Sequence, residues 1–201
     1  MDSTTKAIDP YGDVLAILPT TKTKLRVSSK ILSTASPVFR AMFSPHFREG
    51  IALASTTELV EVKFPDESPR ALEAIFNVLH FRHDCVSASV SYDVLYEIAL
   101  VADKYNLVRA LGPWKEVWLK RGAGDDGRGL FVMYVFGDRR GFDEGCRRAI
   151  MQDRGYDRGE CDDGSAGGGD EGNGEKERGK ARENGWDYDK LPEKVIGMIY
   201  C

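Results

Sequence analysis

An α+β chain is predicted by three observations. Two short apolar runs, Val14–Leu18 and Leu25–Val27, flank the turn-prone Pro19-Thr20-Thr21-Lys22 and read as a β-hairpin. Residues 57–64, T-E-L-V-E-V-K-F, alternate as a half-buried strand does, with Val60, Val62 and Phe64 on one face and Glu61 and Lys63 on the other. Between and after these runs, apolar residues recur at helical spacing.

Taken in order, residues 1–9 are short and polar and read as a loose terminus. After the hairpin come two helix starts. Ser28 precedes Lys30-Ile31-Leu32 as an N-cap, and Ser36 precedes Pro37, whose missing N–H costs nothing at a first helical position. Pro65-Asp66-Glu67 ends the 57–64 strand, and Ser68-Pro69 opens a helix in the same cap-then-proline order. Leu72, Ile75, Phe76 and Leu79 share one face of that helix. A further helix opens at Ser91, with Asp93 in its first turn and the stripe Leu95, Ile98, Ala99, Ala102. Gly112-Pro113 breaks the pattern and restarts it as a short helix carrying Trp114, Val117 and Trp118.

Beyond Arg121 the composition changes. Gly122–Gly129 is a connector rich in glycine and aspartate. Leu130–Phe136 is apolar on every side, so periodicity does not decide its conformation, whereas Phe142, Cys146, Ala149 and Ile150 fit a helix face. Ten of the thirty-one residues from Gly155 to Gly185 are glycine and most of the rest are charged, which is too little apolar surface to offset ordering entropy. A final apolar face returns with Leu191, Val195, Ile196 and Ile199. The organisation expected is a domain at 10–121, a connector and helical extension at 122–152, a disordered Gly/charged insert at 153–186, and a C-terminal helix at 187–201.

Several function classes have no support. Net charge is −4 and the 28 basic residues are scattered, so no nucleic-acid footprint is expected. No apolar run is long enough to span a membrane, and no basic start followed by an apolar run marks a signal peptide. The four cysteines lack CxxC spacing and read as reduced thiols, which suits a cytoplasmic or nuclear address. Gly122-x-Gly124-x-x-Gly127 matches a phosphate-loop pattern literally, but Asp125-Asp126 would repel phosphate and the strand-then-helix setting is missing. No nucleophile elbow occurs, so no catalytic residue and no cofactor is predicted. His80-x-x-His83-x-Cys85 is the one cluster of metal-type ligands, read either as a solvated helix terminus or as a metal or redox site.

The motifs together resemble a BTB/POZ domain of the kind abundant in filamentous fungi. They are G-D-V at Gly12–Val14, S-S-K-I-L-S at Ser28–Ser33, S-P-V-F-R-A-M-F at Ser36–Phe43 and F-R-E-G at Phe47–Gly50. N-V-L-H at Asn77–His80, L-Y-E-I-A-L-V-A-D-K-Y at Leu95–Tyr105 and P-W-K-E-V-W-L at Pro113–Leu119 complete them. The resemblance implies a small sheet with a cluster of helices packed on it, and a scaffold or adaptor whose partners are proteins, a cullin or another BTB chain among them. Many relatives dimerise through a strand and helix ahead of the first core strand; thirteen residues precede Val14 here, which makes a strand-exchanged dimer doubtful and leaves a helix-face dimer open. Cullin-3 adaptors carry a hydrophobic-x-Glu motif after the third core helix, and the loop His80–Val90 contains no Glu. The charged pocket of repressor-type relatives is matched by Asp13 alone, with Ser28 and Ser29 at its other positions. Candidate partner-binding residues are Phe39, Met42, Phe43 and Phe47, most of them core with one or two left exposed, and Trp114 and Trp118, read as a seal on the core or as a peptide groove.

Overall fold

The computed structural model describes residues 4–19, 21–120, 124 and 126–153. The glycine-rich insert and the apolar face at Leu191, Val195, Ile196 and Ile199 lie outside them. The architecture is α+β: a four-stranded mixed sheet covered by helices.

The hairpin forms as the sequence predicts. Strand β2 (Val14–Leu18) runs antiparallel to β3 (Thr23–Val27), with Val14 opposite Val27 and Leu18 opposite Thr23. The turn closes with Lys22 at φ 54°, an uncommon conformation for a residue other than glycine. Strand β4 (Val60–Lys63) pairs parallel to β2, and its burial alternates: Val60 and Val62 inward, Glu61 and Lys63 outward. The expected loose terminus instead contains a strand. β1 (Thr4–Ala7) pairs parallel with β3 and makes the sheet order β1-β3-β2-β4. All four of its side chains are exposed, so hydrophobic pattern could not reveal it; backbone pairing, the Lys6–Glu73 ion pair at 2.8 Å and the buried Ile8 that follows hold it in place.

Helix α1 (Ser29–Ala35) follows the hairpin directly. Its N-terminus is capped from a distance: Asp13 accepts from the Ser29 backbone N–H at 2.7 Å and from the Ser29 hydroxyl at 2.6 Å, while the Ser28 side chain makes no cap bond. Ser36 does cap α2 (Pro37–Met42), accepting from the Phe39 N–H and donating to the Tyr105 carbonyl, which ties α2 to a helix end 69 residues away. Helix α3 (Arg48–Ser55) begins within F-R-E-G; a Cβ at Gly50 would run into the Ser44 carbonyl. The core is built where α4 (Pro69–Leu79) and α5 (Tyr92–Lys104) meet the sheet. Phe39 stacks on Tyr105 at 4.6 Å, with Phe64 edge-on to both and Phe76 edge-on to Phe64.

Helix α6 (Pro113–Leu119) precedes the connector. Leu130–Phe136, undecided by pattern, lies in α7 (Gly127–Phe136), buried almost all round because α5 covers one side and α8 (Arg139–Asp153) another. Gly137 ends α7 at φ 77°, the left-handed cap that glycine adopts without strain. The extension is bolted to α5 by one cluster. Asp126 caps α7 through the Gly129 N–H at 3.0 Å and accepts from the Tyr92 hydroxyl. Arg128 lies over the Tyr92 ring and reaches Asp93 at 2.9 Å, and Phe131 packs edge-on against Tyr96.

Candidate protein-interaction surface

The residues singled out from the sequence separate into core and surface. Phe39 and Trp118 are fully buried and present no contact surface. Met42 and Phe43 are half-buried against the core. Phe47 is 51% exposed and Ile51, one turn on along α3, is 54% exposed, so this helix presents an apolar pair outward.

The two tryptophans lie side by side, ring centroids 5.8 Å apart, and act on the loop after α4. Trp118 donates to the Ser87 carbonyl at 3.0 Å. Trp114 donates to His83 Nδ1 at 2.9 Å and stacks on that imidazole. Through these bonds they pin the His80–Val90 loop to α6.

The imidazole and thiol groups of that loop do not converge. The His80 ring is turned inward: its Nε2 accepts from the Ser28 N–H at 3.0 Å, which places the proton on Nδ1, donating to the Phe76 carbonyl at 2.8 Å. Burial holds its pKa below the ordinary 6.5, against the opposing pull of the Phe76 carbonyl and Asp9. His83 is engaged by Trp114, and the Cys85 thiol sits beside Asp84 and Arg82. Among the described residues no group of three or more His, Cys, Asp or Glu is placed to hold a metal.

One surface feature escaped the sequence reading. At the end of α4 the chain turns at Phe81, φ 59°, leaving its ring 79% exposed. A bulky residue at positive φ is strained, and an exposed phenyl ring gains nothing from water. The ring is one wall of a groove of about 300 Å³ that Ile31, Ala35, Val78, Leu79 and Ala110 also line, together with Lys30 and Thr34. A ring and an apolar hollow thus sit together, on elements α1 and α4 that the core holds rigid. In sequence, Phe81 was only a lone aromatic in a polar loop.

Residues 11–111, just over half of the chain, match the BTB/POZ domain family. The chain belongs to the BTB/POZ family. Members of this family generally mediate protein–protein interaction, and no curated protein matches this chain. In this BTB domain the acid of the opening motif, Asp13, faces the Ser29 hydroxyl and amide rather than a basic side chain, so it serves as a helix cap. β1 of the BTB chain pairs within its own sheet, along β3.

Proposed function

We propose that this chain is a non-enzymatic BTB scaffold or adaptor of the filamentous-fungal type, working in the cytoplasm or nucleus through protein contacts at the Phe81 groove. The observation that carries the reading is the pairing of a strained, exposed aromatic with an apolar hollow on the same surface. A knob beside a hole suits an isologous contact, in which each copy inserts its ring into the other's groove. Family membership supports the same reading, because BTB domains bind other proteins and self-associate. The exposed Phe47–Ile51 pair on α3 offers a second place for a partner.

The test is sedimentation of the full chain over a concentration range, beside Phe81→Asp. Dimerisation that disappears in Phe81→Asp, with thermal stability unchanged, is the expected result. Should both proteins stay monomeric, affinity purification with each decides: partners held equally well by Phe81→Asp would remove the groove from consideration.

A further inference from the structure

The Phe81 groove is built from two helices and the turn that follows the second. Lys30, Ile31, Thr34 and Ala35 come from α1, Val78 and Leu79 from the end of α4, and Phe81 from the turn. His80, between α4 and Phe81, bonds both helices through one ring. Its Nε2 accepts from the N–H of Ser28, the residue that opens α1, at 3.0 Å, and its Nδ1–H donates to the Phe76 carbonyl of α4 at 2.8 Å. A backbone N–H only donates, so this bridge exists only while Nε2 keeps its lone pair.

The turn beside it is strained. Phe81 sits at φ 59°, a conformation that a bulky residue keeps only where its surroundings over-determine it. It is held by its own N–H on the Val78 carbonyl at 3.1 Å, by the Arg82 N–H on the Asn77 carbonyl at 2.8 Å and by the Arg82 guanidinium on the Ile8 carbonyl at 3.1 Å. The His80 bridge is the restraint that a proton undoes. Of the charged groups around the ring, Asp9, from the loop before β2, favours the imidazolium. Asp13 is engaged by Ser29, and Arg82 by Ile8. Burial outweighs Asp9 and keeps the folded form neutral at neutral pH.

We propose that His80 is a proton-operated latch on the Phe81 groove: the neutral ring ties α1 to α4 and holds the Phe81 turn in place, and protonation releases both. On the imidazolium, Nε2–H would face the Ser28 N–H, so the ring leaves, Phe81 relaxes from its positive φ and the groove loses a wall. The inference rests on the proposed function only for the groove's occupant, a second copy of this chain. Association then requires the neutral ring, so each copy must shed a proton to associate in acid. The association constant is flat above 6.5 and falls below the folded pKa by up to about tenfold per pH unit for each copy.

The test is NMR of the full chain, diluted until sedimentation shows a monomer, from about pH 7.5 to about pH 5. The expected result is that the Ile31, Val78 and Leu79 methyl groups and the Phe81 ring shift with the midpoint of the His80 imidazole itself, below 6.5, while the Val62 methyl groups of the sheet stay still. In His80→Gln, whose amide oxygen accepts from the Ser28 N–H and does not titrate, the groove should no longer respond. Groove signals that stay still while His80 titrates, or that move equally in His80→Gln, would overturn the latch. The coincidence of midpoints is read in the unaltered chain and decides the matter even where His80→Gln does not fold. Sedimentation at higher concentration separates the two readings. Association that ignores pH while His80 titrates would overturn the latch and leave the dimer. A groove that follows His80 in a chain that never associates would support the latch and remove the dimer.

Discussion

At the scale of single residues, burial decides role. Phe39 is enclosed by Phe43, Phe64, Phe76 and Tyr105, with no exposed surface. Phe39→Ala should lower stability by about 3–5 kcal/mol, the range for emptying a buried aromatic site; chemical denaturation measures it, and a near-neutral result would mean that the ring is not core. His80 makes a different prediction. Its neutral ring accepts the Ser28 N–H, and protonation would set two donors face to face. The folded pKa lies below the ordinary 6.5, so the unfolded chain binds more protons as pH falls. The contribution is complete above 6.5 and is lost as pH drops through the folded value. The melting temperature should therefore fall between about pH 7.5 and about pH 5.5, and less so in His80→Gln; parallel curves for the two proteins would contradict this. Glu67 acts lower on the scale. Burial opposes its ionisation, but Lys104 and Tyr105 prevail and hold its pKa under 4.5, so its contribution fades only in stronger acid.

At the scale of elements, caps link segments far apart in sequence. Ser36 serves α2 and the end of α5 together, and Asp13 starts α1 from the other side of the hairpin. Asp126 is the equivalent joint for the extension, engaging Gly129, Tyr92 and Arg128. Asp126→Ala should cost about 1–2 kcal/mol, the upper range for a lost cap. Hydrogen exchange should show the loss concentrated in α7 and α8, with the sheet untouched; uniform loss of protection would mean that the extension and the BTB core unfold as one unit.

At the scale of the whole molecule, the surfaces determine which partners fit. The loop between α4 and α5 is pinned by Trp114 and Trp118 and offers one carboxylate, Asp84, which is highly exposed and beside Arg82. A glutamate at a cullin interface would accept charge-assisted hydrogen bonds worth about 1.5–3 kcal/mol each, or roughly one to two decades of affinity. Titration of the full chain against a cullin-3 N-terminal region should accordingly give a dissociation constant of about tens of micromolar or weaker. Submicromolar binding would instead put the ubiquitin-ligase adaptor ahead of the general scaffold.

Much of this fold was legible in the chain itself, because its signals are local. Alternation at Val60, Val62 and Phe64, cap-then-proline pairs at Ser36-Pro37 and Ser68-Pro69, and the stripe Leu95, Ile98, Ala99, Ala102 each follow from backbone sterics and a two-sided environment, and all appear as predicted. Three features depended on contacts between distant segments. β1 has no buried face, so only the free edge of β3 determines that Thr4–Ala7 is extended. α7 is apolar all round, so its conformation waits on α5 and α8 to cover it. The roles of single side chains were the least legible. Phe81 is exposed because α4 ends there in a left-handed turn, and Glu67 is buried because Lys104 and Tyr105, 37 and 38 residues away, close over it. Exposure and burial of single side chains are properties of the assembled packing, which sequence spacing records only where a periodic element imposes it.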